Sequence, residues 1–127
     1  MGQRFLMLTT TGRVSGQLRN TVIEVVSRDL DTGVYYVASA WGVQADWLRN
    51  LQKEPLCNVQ VGGRRFEGKA ERLQKGDAQR VLLEYARKHP KAMRGLAAFM
   101  GFEVDGSDEA YRQMAATLPL VGLRPLS

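Results

Sequence analysis

The sequence predicts an α+β fold in which a small antiparallel β-barrel carries attached helices. Three apolar, β-rich segments follow one another through short connections at the start of the chain, which is typical of a strand meander. Helical periodicity begins only after this meander, and a strand pair joined by Gly62 and Gly63 then separates the first helix from the later ones. Strands and helices grouped in this way favour an antiparallel sheet over a doubly wound parallel sheet.

The strands are indicated by β-branched and aromatic runs that are bounded by turn residues. The second strand is rich in valine and isoleucine, and the segment DLDTG after it supplies a turn. Gly68 predicts a kink in the return strand of the later pair, and Pro119 places the last strand near an edge of the sheet. We expect strands over 4–11, 18–27, 34–40, 56–61, 65–73 and 118–123.

The helices are indicated by apolar residues at helical spacing and by residues that cap or break helices. Trp47 and Leu51 share one face of the first helix, and Pro55 ends it. Asp77 is the predicted N-cap of the longest helix, and Ser107 is the predicted N-cap of the last one. We expect helices over 44–53, 77–89, 93–100 and 107–114.

Length, composition and charge restrict the class of protein. A chain of 127 residues suits one domain over 1–127, and no apolar run is long enough to cross a bilayer. A single cysteine, Cys57, and the lack of a signal-peptide pattern favour the cytoplasm. One cysteine and one histidine give no metal-ligand cluster, so no metal site is expected. The net charge of +5 favours anionic partners, which include phosphates, nucleic acid and acidic lipid headgroups.

The connection between the first two strands, within LTTTGRVSGQLRNT, combines glycine with arginine. Backbone N–H groups in a glycine-containing turn point to one side, and arginine offers a planar fork of donors that matches phosphate oxygens. Ser15 adds a hydroxyl group, and Arg13 and Arg19 flank the turn. The segment is therefore either a cradle for a phosphorylated ligand or a solvated hairpin with solubilising arginines.

Three ordered blocks resemble the deazaflavin-dependent nitroreductase family. LTTTGRVSGQLR is similar to its LTT-x-GR-x-SG-x-x-R signature, and VASAWG and WLRNLQKEPLCNVQVGG are similar to later blocks. The similarity extends from Phe5 to His89. It implies a split β-barrel of the FMN-binding, pyridoxamine-phosphate-oxidase-like type, and a cytoplasmic oxidoreductase that binds coenzyme F-420, a deazaflavin with a phosphate and an oligoglutamate tail.

The resemblance also implies a role for particular residues. The loop should receive the coenzyme's phosphate, Arg19 should meet that phosphate or the tail carboxylates, and Ala38 and Ser39 should offer backbone N–H groups to the ring. Trp47 and Asn50 should brace the loop and pocket. The full set of predicted cofactor-binding residues is Gly12, Arg13, Val14, Ser15, Gly16, Arg19, Ala38, Ser39, Ala40, Trp47 and Asn50.

The chain departs from the family pattern at positions that bear on ligand choice. Val14 and Ala40 stand where basic residues are common, and Trp41 replaces a glycine. Two lost charges predict a weaker hold on the polyanionic tail. The segment HPKAMRGLAAFMGFEVDG lacks the tyrosines of the nitroreductase pocket and instead carries Phe99 and Phe102, which predicts an apolar acceptor.

The resemblance requires no catalytic side chain, because the deazaflavin itself transfers the hydride. The first interpretation is therefore a reductase that uses F-420 and a small-molecule acceptor, as a monomer or homodimer. The alternative is an FMN-binding split-barrel flavoprotein, or a flavin carrier without turnover. A basic nucleic-acid-binding barrel is a remote third interpretation. It leaves the ordered blocks unexplained and finds few aromatic stacking platforms, so we expect no nucleic-acid partner.

Overall fold

Six antiparallel strands form a closed barrel in the computed structural model, which describes residues 4–103 and 105–126. The strands are β1 (Phe5–Thr11), β2 (Leu18–Arg28), β3 (Tyr35–Ala38), β4 (Leu56–Val61), β5 (Arg64–Arg72) and β6 (Leu120–Pro125). The helices are α1 (Asp46–Lys53), α2 (Lys75–Lys88), α3 (Pro90–Phe99) and α4 (Asp108–Ala115), with one turn of 3-10 helix at Gly42–Gln44. Around the barrel the strands run β1-β2-β3-β6-β5-β4, and β4 pairs back onto β1. The predicted barrel with attached helices is confirmed.

The two edges of the second strand are paired over different parts of its length. β1 and β2 form a continuous ladder from Phe5↔Glu24 to Thr11↔Leu18. On the other side, β3 pairs with β2 only from Val25 to Arg28, across a register shift between Val25 and Ser27. In the described part of the chain, the edge of residues 18–24 that faces away from β1 therefore has no neighbouring strand. We call this edge the open seam.

Helix α1 closes one end of the barrel. Leu6, Leu8 and Val37 point into the barrel, and the buried side chains of Trp47 and Leu51 on α1 pack onto them. Burying large apolar side chains in this way is the main stabilising term of the fold. This packing fixes α1 beside the connection between β1 and β2.

The other three helices form a layer on the outside of the barrel. Leu82 of α2, Met93 of α3 and Met114 of α4 are fully buried against Val26 and Leu120 of the barrel wall. None of the helices in the described residues is long and apolar enough to span a membrane.

Three local predictions need correction, and one is confirmed. Gln74 is the N-cap of α2, so Asp77 lies within the first turn. β6 pairs with both β3 and β5, so Pro119 precedes an interior strand instead of marking an edge. The β4–β5 ladder continues through Gly68 without a register shift; a Cβ there would lie 3.2 Å from the Arg124 carbonyl oxygen and 3.3 Å from the Phe66 ring. As predicted, Ser107 caps α4, since its Oγ accepts from the backbone N–H of Ala110 at 3.2 Å.

Candidate functional site

Residues 12–17, here called the β1–β2 loop, form a tight turn with its own hydrogen bonds. The backbone N–H of Gly12 donates to the carbonyl oxygen of Gln17 at 2.7 Å, and that of Gly16 donates to the Gly12 carbonyl oxygen at 2.9 Å. The Oγ of Ser15 accepts from the N–H of Gln17 at 3.1 Å. Gly16 has φ +73°, a left-handed conformation that favours glycine. The loop is thus held in one shape by local bonds.

Two neighbouring N–H groups at the tip of this loop remain available. Val14 and Ser15 are exposed, and their backbone N–H groups have no acceptor within the residues that the structure describes. Adjacent free N–H groups of this kind can bind an anion. Arg19 is also exposed, and its side chain has no hydrogen-bond or ion-pair partner in the same part of the chain. Its Nε lies 3.7 Å from where a Cβ on Gly12 would be, so the guanidinium group lies against the loop.

Arg13, by contrast, points toward α1. Its Nη2 forms an ion pair with Oδ1 of Asp46 at 3.1 Å, and its Nη1 donates to Oδ1 of Asn50 at 2.9 Å. The side chain is 24% exposed. Lys53 adds a third contact, because its Nζ donates to the Arg13 carbonyl oxygen at 2.7 Å. Arg13 therefore fastens the loop to the helix, and its role as a direct ligand for phosphate stays a prediction.

Asn50 is the buried centre of this connection, with 3% of its surface exposed. Its Oδ1 accepts from the backbone N–H of Arg13 at 3.1 Å, and its Nδ2 donates to Oγ1 of Thr10 at 3.2 Å. Trp47, one turn earlier on α1, is buried in the barrel core. Trp47 fixes α1 to the barrel core, and Asn50 fixes the loop to α1.

The end of β3 forms a second fixed turn. The buried Ser39 donates its Oγ–H to the carbonyl oxygen of Gly42 at 2.6 Å, and the Gly42 N–H donates back to the Ser39 carbonyl oxygen at 3.0 Å. The Ser39 N–H donates to the Pro119 carbonyl oxygen at 2.9 Å, so this N–H is already satisfied within the protein and is not presented to a ligand ring. Ala38 packs against the helix layer, and Ala40 is half-buried in the turn.

Two aromatic side chains meet on the surface beside this turn. The rings of Trp41 and Phe99 have centroids 5.2 Å apart and are perpendicular, at 90°. Trp41 is 74% exposed and Phe99 is 58% exposed. The sequence offers one signal for this pair, the large indole within the otherwise small-residue segment VASAWG.

A separate cleft of about 730 Å³ lies between β2 and the corner where α2 meets α3. On its wall the hydroxyl of Tyr85 donates to Oε1 of Glu24 at 2.7 Å. Burial raises the pKa of Tyr85, and the hydrogen bond to Glu24 raises it further. Tyr85 is therefore neutral and serves to join α2 to the barrel wall.

The sequence reasoning missed Asp46, Lys53 and Thr10 as residues of this site. Asp46 and Asn50 lie four residues apart on α1, and Asn50 and Lys53 lie three apart, which places all three on one helix face. That spacing was a usable signal, but it does not indicate what the face contacts.

Residues 1–95 match the model of a family described as F420H(2)-dependent quinone reductase. No curated protein matches the chain. One similar solved structure is the F420-H2 dependent reductase FDR-A, with 17% identity over 98% of this chain and 96% of that chain, and a TM-score of 0.68. Another is a pyridoxamine 5'-phosphate oxidase-related, FMN-binding protein from Nostoc punctiforme, with 15% identity over 97% and 72% of the two chains and a TM-score of 0.65. HutZ, a heme storage protein from Vibrio cholerae, has 14% identity over 98% and 83%, also with a TM-score of 0.65. These likenesses confirm the predicted split β-barrel fold.

Proposed function

This chain belongs to the F420H(2)-dependent quinone reductase family, and we propose that its β1–β2 loop holds the phosphate of coenzyme F-420 during reduction of a quinone-type acceptor. It is an oxidoreductase that uses coenzyme F-420. The predicted kinship with deazaflavin-dependent oxidoreductases is confirmed, whereas membership of their nitroreductase branch stays a prediction.

The proposal for the loop depends on one observation, the group of free donors at its tip and on the first residues of β2. The N–H groups of Val14 and Ser15 and the guanidinium of Arg19 have no protein acceptor among the described residues, and they lie on one connection. Hydrogen bonds from charged donors and from adjacent backbone N–H groups to phosphate are strong. The residues present therefore fit a phosphate-bearing coenzyme.

When bound, reduced F-420 supplies a hydride from its deazaflavin ring. The residues of this chain bind and orient the coenzyme. Arg13 and Asn50 hold the loop against α1, so the loop would present the same donors to the phosphate of a bound coenzyme. Residues 38–40, at the end of β3, are the proposed neighbours of the ring.

The acceptor is proposed to be flat and apolar. Met100 and Phe102 follow α3, and the segment 89–106 contains no tyrosine. The surface that this segment would offer to an acceptor is therefore apolar in character. We further propose that residues 1–127 form one domain, that the protein acts in the cytoplasm as a monomer or homodimer, and that nucleic acid is not its partner.

Calorimetric titration of the ligand-free protein with F-420 and with FMN, at low and moderate salt, tests the choice of coenzyme. We expect tighter binding of F-420, and we expect that binding to weaken as salt rises because exposed charges are screened. FMN has a phosphate but no oligoglutamate tail, and an FMN-binding relative shares this fold. Tighter, salt-insensitive binding of FMN would therefore favour the flavoprotein or flavin-carrier alternative.

A further inference from the structure

Trp41 and Phe99 form an exposed aromatic pair that the fold itself does not need. Both rings contribute little to the buried core, since most of each side chain is accessible to solvent. Their edge-to-face contact at 5.2 Å leaves the remaining ring surface open. Large apolar side chains that meet on a surface mark a contact with something outside the chain more often than singly scattered ones do.

The backbone presents Trp41 rigidly. The reciprocal hydrogen bonds between Ser39 and Gly42 close a turn with Trp41 inside it, and Gly42 adopts φ +71°. The backbone bond from Ser39 to Pro119 then fixes this turn to the segment that enters β6. A side chain held on a fixed backbone loses less freedom when it binds a ligand, so the exposed indole is preorganised.

We infer that Trp41 and Phe99 form the aromatic wall that selects the acceptor in the proposed reductase, by stacking on a planar quinone ring. The inference deepens the proposed function and depends on it. Trp41 follows the three residues that are the proposed neighbours of the coenzyme ring, so an acceptor stacked on it is adjacent to the hydride source.

The chemistry of the acceptor agrees with this wall. A quinone has a flat ring without charge, which an indole face and a phenyl ring bind through dispersion and apolar burial. The quinone gains a hydride from the reduced coenzyme and a proton from water and leaves as the quinol, while the coenzyme, now oxidised, returns the proton of its ring N–H to water. Trp41 and Phe99 exchange no electrons or protons in this step.

Tryptophan fluorescence tests the contact without any coenzyme. The protein has two tryptophans, and Trp47 is buried in the core while Trp41 is exposed. Titration of the wild-type protein with menadione should quench the emission saturably, and Trp41→Phe should lose that saturable component. Acrylamide, which quenches by collision, is the control for simple exposure of Trp41, and it should need concentrations far above those at which quenching by menadione saturates. Menadione quenching that is linear throughout would overturn the inference.

Steady-state kinetics with reduced F-420 provides the second test. Trp41→Ala and Phe99→Ala should each raise KM for menadione by about three- to tenfold, while kcat and the F-420 dissociation constant change little. Leu30→Ala is the matched control, because Leu30 is 80% exposed in the turn between β2 and β3, away from the aromatic pair. The inference is wrong if the two aromatic variants keep the KM of the control.

Failure of the proposed function gives a different result. In that case the wild-type protein neither binds F-420 nor oxidises the reduced coenzyme with any acceptor. The fluorescence titration still decides whether the aromatic pair binds a quinone, since it requires no turnover.

Discussion

The side-chain oxygen of Asn50 accepts two hydrogen bonds from the same residue, one from the backbone N–H of Arg13 at 3.1 Å and one from its Nη1 at 2.9 Å. A buried amide thus holds both the backbone and the side chain of the loop residue. This arrangement explains how a surface loop is kept in one shape by a helix that packs in the barrel end.

Asn50→Ala should destabilise the fold and weaken coenzyme binding together. The substitution leaves the N–H of Arg13 and the hydroxyl of Thr10 without their buried partner, which costs about 1–3 kcal/mol in the free energy of unfolding. Chemical denaturation measures this loss, and calorimetry measures the affinity for F-420. Asn58→Ala, at an exposed amide on β4, is the control and should change neither quantity. Unchanged affinity in Asn50→Ala would mean that the loop does not need its anchor.

Replacing Arg13 in the loop and Arg19 beside it should have different effects. Arg19→Ala should lower affinity for F-420 by about tenfold or more, because it removes a charged donor that has no protein partner, and should leave stability nearly unchanged. Arg13→Ala should chiefly lower stability, since it breaks the contacts with Asp46 and Asn50. Calorimetry and denaturation on both variants separate these effects. The exposed Arg65, on β5, supplies the control Arg65→Ala for a general loss of positive charge; an equal loss of affinity there would contradict a specific role for Arg19.

The two loop glycines should respond differently to alanine. At Gly16 a Cβ has open space, so Gly16→Ala should cost only the strain of a left-handed backbone, about 1 kcal/mol. At Gly12 a Cβ would lie 3.0 Å from the Gln17 carbonyl oxygen and 2.9 Å from Oγ of Ser15, so the loop itself must open. We therefore expect Gly12→Ala to lose more F-420 affinity than Gly16→Ala in parallel titrations. The reverse order would show that the cradle tolerates a wider turn.

Cys57 should remain unreactive in the folded protein and should lower stability at alkaline pH. Burial raises the pKa of its thiol from 9.0 to about 11. Between these values the folded state holds a proton that the unfolded state has lost, so the stability present below pH 9 declines as pH rises toward 11. Urea denaturation across this range should show a steeper decline in the wild type than in Cys57→Ala. A thiol reagent at neutral pH should label Cys57 only on unfolding, and rapid labelling of the native protein would contradict its burial.

Local sequence predicted most strands and missed the details that depend on distant contacts. The strand Leu56–Val61 has the predicted bounds, because its alternation and its flanking residues, Pro55 and the two glycines, are all local signals. β3 ends at Ala38, two residues earlier than predicted, because the Ser39 side chain turns back to Gly42. The position of Pro119 next to an interior strand depends on β3 and β5, which no local pattern around residue 119 reveals.

In the candidate site, too, local sequence was informative and contacts between distant residues were not predictable. The sequence identified the loop and the two arginines, Arg13 and Arg19, but it could not distinguish their roles, because both lie close to the same glycines. The difference comes from Asp46 and Asn50, which lie 33 and 37 residues beyond Arg13 along the chain. The exposed face of Trp41 likewise follows from tertiary packing, since a tryptophan in a strand-like segment is usually buried.

Because β6 pairs with both β3 and β5, the barrel can close only after β6 has been synthesised. The β1–β2 hairpin, the loop and α1 all lie within residues 5–53, so the ribosome releases them early. β3 and β5 find their shared neighbour only when residues 120–125 emerge, and until then both present unpaired edges. Closure of the barrel therefore waits for β6, and the interval before β6 emerges is when the nascent chain is most exposed to aggregation.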